Sequence, residues 1–368
     1  MDFEFQSEQD ELRRAVERWL QGEYGADRRR RIRATGGWDA EAWASFAELG
    51  LAGLPIGEAW DGMGRGVIDA MVVMEAFGRH AVLEPLSQAW LSAALIQRYA
   101  PAELAAAWLP RCAAGEAWVA LAHQERATRY TLAPCAAQAV RSADGRWLLS
   151  GQKDLVPAGD KAQALIVPAM LDGTLGLFLV ATAQSGVVAE SYPTLDGRRA
   201  ATVAFQQARA ECVTNAGEQA LEWGVDVGIA HVCAEAVGLM EHILALTTAH
   251  LETRQQFGKP LAELQVLRHR LADMKMQVEL ARSMSYYANL NLDADTPLRR
   301  RALSGAKYQL SQSMKWVGQQ AVQLHGGIGV TDEYELSDYF KRLTQLEYTF
   351  GDGSYHLGIL SRMQFAER

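Results

Sequence analysis

The spacing of apolar residues changes twice along this chain, and no other feature restricts the fold as much. Up to about Glu116 the apolar positions fall at helical intervals: Leu12, Val16, Trp19 and Leu20 share one face, and Trp43, Phe46, Ala47 and Leu49 share another. From about Trp118 to Ala208 they come in short runs instead, over 136–141, 147–149, 164–168, 175–180, 187–190 and 201–205. Asp144-Gly145, Asp172-Gly173 and Asp196-Gly197 stand between runs and supply the positive φ of tight hairpin turns. From about Glu218 the helical rhythm returns over 218–251, 261–292, 297–324 and 334–349, with a last helix after Gly353. Phe257-Gly258-Lys259-Pro260 breaks the first of these from the second. The fold expected is mainly α with a central antiparallel β domain. Its parts are an N-terminal helical domain over 1–117, the β domain over 118–215 and a C-terminal helical bundle over 216–368. Ser7-Glu8-Gln9-Asp10 resembles a capping box, Asp39 can cap the next helix, and Pro101 and Pro110 punctuate the end of the first tract.

Composition narrows the function classes. A content of 49% hydrophobic and 22% charged residues rules out extended disorder. The net charge of −8 argues against nucleic acid as a general partner. One basic run, Arg28 to Arg31 with Arg33, admits a phosphate or membrane-surface reading, although such runs usually form a solvated face. Cys112, Cys135, Cys212 and Cys233 lie far apart, as expected of a reducing compartment. Met1-Asp2-Phe3-Glu4 lacks the start of a signal peptide, and no run reaches the roughly 18 consecutive apolar residues of a membrane helix. A cytoplasmic protein with no membrane partner is expected. His123, His231 and His242 show no ligand-like spacing, so no metal is expected.

Two segments carry chemistry. One runs from Arg254-Gln255-Gln256-Phe257-Gly258-Lys259-Pro260-Leu261 to Gln265, and the other is Gln323-Leu324-His325-Gly326-Gly327-Ile328-Gly329. An arginine at a helix end can hold a pyrophosphate bidentately, and glycines let a backbone approach a flat or anionic ligand. Alone, either segment reads more simply as a surface cation beside a helix stop or as a turn. Together, and after a helix–strand–helix order, they resemble the acyl-CoA dehydrogenase family over essentially the whole chain. Residues 318–329, Tyr339-Phe340-Lys341-Arg342-Leu343-Thr344 and Thr349-Phe350-Gly351-Asp352 resemble the small subunits of two-subunit members that act on dicarboxylyl-CoA such as pimeloyl-CoA.

The resemblance implies a C-terminal four-helix bundle, FAD, an acyl-CoA substrate, α,β-dehydrogenation and an electron-transfer flavoprotein as acceptor. It implies that the bundle reaches across an interface to a neighbour's FAD. Arg254 would then hold the pyrophosphate with Phe257 beside it, Leu264 and Gln265 would line the site, and Gln323 to Gly327, with Gly326 and Gly327, would hold the adenosine half. A donor to a cofactor phosphate is one role for His325, and packing is the simpler expectation.

The chain also departs from the family. The usual glutamate base immediately precedes Gly-Thr, and that position is Phe350; an alternative base position, at the start of the first bundle helix, is Gly228. Neither side chain can accept a proton. Asp352, Glu235 and Glu347 remain as candidates for a relocated base, with an ion pair inside the bundle as the competing role of Glu235. The flavin-ring segment Thr-Glu-Pro-Gly-x-Gly-Ser-Asp becomes Gln124-Glu125-Arg126-Ala127-Thr128-Arg129-Tyr130-Thr131, and Trp-Ile-Thr becomes Leu155-Val156-Pro157. The losses fall on the half that would hold the flavin ring. The expectation is a heteromer, such as a heterotetramer, in which a larger dehydrogenase subunit supplies the base. A self-sufficient homomeric enzyme and a non-catalytic scaffold are the alternatives.

Overall fold

The computed structural model describes residues 5–366, so Met1-Asp2-Phe3-Glu4 lies outside the described residues. Helices α1 (Ser7–Glu23), α2 (Ala26–Ala34), α3 (Ala40–Glu48), α4 (Val67–Arg79), α5 (Leu86–Tyr99) and α6 (Ala102–Ala113) come first. Strands β1 (Val119–Leu121), β2 (Gln138–Arg141), β3 (Trp147–Pro157), β4 (Ala164–Leu171), β5 (Thr174–Ala181), β6 (Val187–Pro193) and β7 (Arg199–Thr214) follow. Then α7 (Gly217–Thr253) leads to a short hairpin of β8 (Gln255–Gln256) and β9 (Lys259–Pro260). The chain ends with α8 (Gln265–Leu290), α9 (Thr296–His325), α10 (Leu336–Tyr348) and α11 (Gly353–Ala366).

The local signals act with small displacements. The α1 box pairs Gln6 with Gln9, one residue before the expected Ser7, because Gln9 and Asp10 already donate their amides to the Gln6 carbonyl. Asp39 caps α3, its Oδ1 accepting from Glu41 N at 2.9 Å and Ala42 N at 3.3 Å. Pro110 sits inside α6 rather than ending it. Between β4 and β5, Asp172 and Gly173 take φ of 47° and 84°, the paired left-handed residues that a two-residue hairpin requires.

Contacts between Cα atoms divide the chain into two units, one of residues 1–30, 67–82 and 229–368, the other of 31–66 and 83–228. The second holds the sheet. Its main ladders are antiparallel, as expected, and β1 and β2 each add a parallel pairing with β4 that the sequence did not signal. The pairings run β4–β2–β3–β7–β5 and back to β4, closing a small barrel with β6 on the flank of β7. Closure leaves few bare strand edges. Trp38 and Trp43 lie 6.0 Å and 5.9 Å from Trp118, and Trp43 donates to Gly115 O at 3.0 Å.

The first unit is organised by a close helix crossing. A Cβ on Gly238 of α7 would lie 1.9 Å from Glu75 O of α4, and one on Gly78 would lie 2.1 Å from Glu235 O. Only glycines permit that approach. Charged groups around it pair off: Arg79 reaches Glu17 at 2.6 Å and Glu241 at 2.8 Å, and Arg282 of α8 reaches Glu75 at 3.2 Å as well as Glu241. By length and composition α7 could cross a membrane, which the search for uninterrupted apolar runs did not anticipate. In the fold, 72% of its most apolar stretch is buried.

Substituting Gly238→Ala should force the two helices apart and cost about 1–3 kcal/mol or more of stability. A urea midpoint equal to that of the unmodified chain would contradict the crossing.

Candidate cofactor site

The two sequence segments meet in the first unit. At the end of α7, Arg254 N still donates to His250 O at 2.9 Å, and Leu261 N closes the β8–β9 hairpin by donating to Arg254 O at 2.9 Å. The hairpin turns at Phe257 and Gly258, with φ of 55° and 77°. Phe257 is 86% exposed, so a large apolar ring is held in water by a strained backbone. Arg254 and Gln265 are exposed and Leu264 is half-buried. At the end of α9, Gly326 takes φ 65° and ψ −141°, a state essentially reserved for glycine. Gln323, Gly326 and Gly327 are exposed, and nothing lies within 4 Å of where a Cβ on either glycine would stand. The imidazoles of His250 and His325 stack with centroids 4.3 Å apart, so the two segments are joined side by side. His325 bonds Ala321 O through Nδ1 at 2.8 Å and packs on Tyr334 at 5.2 Å. His250, a turn before the arginine, was invisible to sequence reading because it belongs to no motif.

The carboxylates considered as bases all have structural partners. Glu235 receives Arg342 bidentately, both contacts at 2.8 Å. Glu347 is buried, paired with Lys315 at 2.8 Å, and accepts Gly353 N at 3.4 Å. Asp352 accepts Tyr355 N at 2.8 Å, capping α11. Gly228 is buried inside α7. Phe350 is 6% exposed at φ 59°, and the turn around it is pinned by donors. Lys307 Nζ donates to Glu347 O at 2.8 Å and Gly351 O at 2.7 Å, and His356 Nε2 lies 3.0 Å from Phe350 O. Burial pushes Lys307 down to about 8 and His356 down to about 3.

The counterpart of the flavin-ring segment lies in the second unit and serves another purpose. Glu125 accepts Ala136 N at 2.6 Å, Ala137 N at 3.1 Å and Lys153 Nζ at 2.6 Å, and Lys153 is fully buried. The one residue retained from the motif is therefore a strut of the sheet. A bulge in β3 follows Lys153, and there Leu155 stands 48% exposed at φ 52°. Next to it Asp154 accepts Arg126 N and Thr202 Oγ1, each at 3.2 Å.

A helical tract, a small closed sheet and a bundle of long helices, with an arginine hairpin beside a glycine turn, define the architecture of flavin-dependent acyl-thioester dehydrogenases. The chain belongs to the acyl-CoA dehydrogenase family: residues 6–116 match its N-terminal domain and 215–364 its C-terminal domain. It is 26% identical over 340 residues to acryloyl-CoA reductase (NADH) of Anaerotignum propionicum, covering 88% of this chain and 86% of that one. A variant of the Tcur3481-Tcur3483 steroid ACAD superposes with a TM-score of 0.91 at 30% identity, covering 98% of each chain. The ChsE4-ChsE5 complex from Mycobacterium tuberculosis shares the fold, with a TM-score of 0.91 at 23% identity over 100% of both chains. Members of this family carry out FAD-dependent dehydrogenation of CoA thioesters.

The residues present fit part of an FAD. An exposed guanidinium, an exposed aromatic ring and an open glycine turn suit a pyrophosphate and an adenosine. Leu155, at the position of the family's aromatic wall, offers no ring to stack on the isoalloxazine and no hydroxyl to bond it.

Glu125→Gln would leave Lys153 a buried cation without its counter-ion. A loss of about 3–5 kcal/mol is expected, read as a lowered denaturation midpoint; an unchanged midpoint would show that the strut is dispensable.

Proposed function

We propose that this chain is the FAD-clamping subunit of a heteromeric acyl-CoA dehydrogenase, contributing Arg254, Phe257, Leu264, Gln265, Gln323, Gly326 and Gly327 to a cofactor whose ring and base lie with a larger subunit. The observation that carries this reading is Phe350: it stands at the position the family's motif gives the base, in a turn held by Lys307, and its side chain cannot take a proton. The engagement of Asp352, Glu235 and Glu347 in structural bonds weighs against a relocated base and a homomeric enzyme. The exposure of Phe257 favours a surface that is covered on assembly. Electrons would pass to an electron-transfer flavoprotein, and the cytoplasm remains the expected compartment.

Two substrate chemistries are in play. Likeness in the C-terminal motifs favours a dicarboxylyl-CoA such as pimeloyl-CoA. The likeness to a steroid dehydrogenase at 30% identity favours a bulky polycyclic thioester. Offering both thioesters to the reconstituted heteromer separates them.

Expressed alone, the chain should carry little flavin, and co-expressed with its larger subunit the complex should carry it stoichiometrically. Arg254→Ala should weaken FAD binding by about 1.5–3 kcal/mol, roughly ten- to a hundredfold or more. A chain that is yellow and oxidises a thioester unaided would overturn the proposal. Asp352→Asn keeps a capping side chain and should leave turnover largely intact. A fall of about a thousandfold would bring the base back into this chain.

A further inference from the structure

We propose that His250 and His325 are positioning residues for the cofactor arm: their stacked rings splint the end of α7 to the end of α9 and so set Arg254 against Gly326 and Gly327. This rests on reading the arm as an FAD clamp, and the experiment below separates the two.

The geometry gives the pair this role. His250 lies one helical turn before Arg254, and its carbonyl receives the Arg254 amide. His325 directly precedes the glycine turn. Their ring planes differ by 26°, so the rings meet face to face. The Ala321 carbonyl is an acceptor only, so His325 Nδ1 carries the proton. His325 Nε2 is then a bare lone pair, buried and without a hydrogen-bond partner. A proton added there would create a buried donor with no acceptor, on a cation facing a second imidazole.

The charged and titratable groups facing the stack are few. Arg254 comes from the end of α7. Tyr334 comes from the segment before α10, and beyond it Glu335 is already held by Arg29 at 3.2 Å, with His242 at 3.7 Å. Among the described residues neither ring has a carboxylate partner. Burial holds both imidazoles below their ordinary range; Arg254 adds to the effect at His250, while at His325 the bond to the Ala321 carbonyl opposes it and His250 adds to it. A histidine lowered in the folded state contributes stability that is present above its unfolded value, about 6.5, and is lost as pH falls below it. The arm should therefore be ordered at pH 8 and loosen in acid.

Hydrogen exchange on the whole chain, corrected for intrinsic rates, tests this at the Leu261 and Thr331 amides, which close the hairpin and the glycine turn. Opening should rise by up to about tenfold per pH unit below about 6.5. His250→Ala should deprotect Leu261 even at pH 8. The double variant His250→Phe/His325→Phe keeps two stacked rings without titration, and its protection should lose the pH dependence. A flat profile in the unmodified chain, a steep one in the double variant, or full protection in His250→Ala would each overturn the splint. ADP, carrying the pyrophosphate and adenosine, is then titrated by NMR into the heteromer co-expressed with its larger subunit. No shift there at 254–261 or 326–331 while the arm is ordered would sink the clamp reading and leave the splint standing. ADP affinity with the same acid dependence in both chains would remove the positioning role.

Discussion

The first unit depends on how near two backbones come. At Gly78 and Gly238 the helices α4 and α7 approach until a single methyl group would strike a carbonyl, and this lets the core portion of α7 be buried. Burial forces the carboxylates on α7 to find cations, since an uncompensated charge inside a protein costs several kcal/mol. Glu235 takes Arg342 and thereby ties α10 to α7, while Glu241 takes Arg79 and Arg282 and ties α4 and α8 to it. Where that packing ends, at Thr253, the chain turns outward and presents Arg254 and Phe257 on a hairpin. A rigid helix ending in an exposed arm is what a clamp requires, because the arm is oriented by the core behind it.

The same logic explains which polar residues remain in the sheet. Glu125 satisfies two backbone amides and a fully buried lysine, so its loss would leave several buried groups without partners. Its neighbours in the segment, Arg126 to Thr131, carry no comparable burden, and a ligand-facing glycine or hydroxyl has no structural penalty to keep it. The β3 bulge places Leu155 in the left-handed region and leaves it exposed.

Much of this was legible because it is local. Asp172-Gly173 fixes its own hairpin, and the helical spacing from Glu218 onward marks helices whose ends lie within a few residues of those observed. The parallel pairings to β4 and the closure of the sheet depend on strands distant in sequence, for which no spacing rule exists. Charged residues interrupt the apolar runs of α7, and Glu235 lies inside only because Arg342 of α10 pairs with it. In the site, Arg254 and the glycine turn carry motifs. The histidine that joins them does not, and the Arg342 that neutralises Glu235 gives no sign of its partner.

The turn at Phe350 shows why the loss of a base can be tolerated. A non-glycine residue in the left-handed region costs roughly 1–2 kcal/mol, so the conformation persists only where surrounding bonds over-determine it. Lys307 and His356 contact three backbone carbonyls of the turn, those of Glu347, Phe350 and Gly351, and none of these contacts involves the side chain at position 350. The backbone is thus indifferent to what the turn presents. A carboxylate in that buried setting would need a compensating donor, and two of the three Lys307 N–H groups already go to carbonyls. A phenylalanine needs none and contributes about 1.5–3 kcal/mol by its own burial. On the proposed heteromeric reading, in which the larger subunit supplies the proton acceptor, the apolar residue is the more stable choice at this turn.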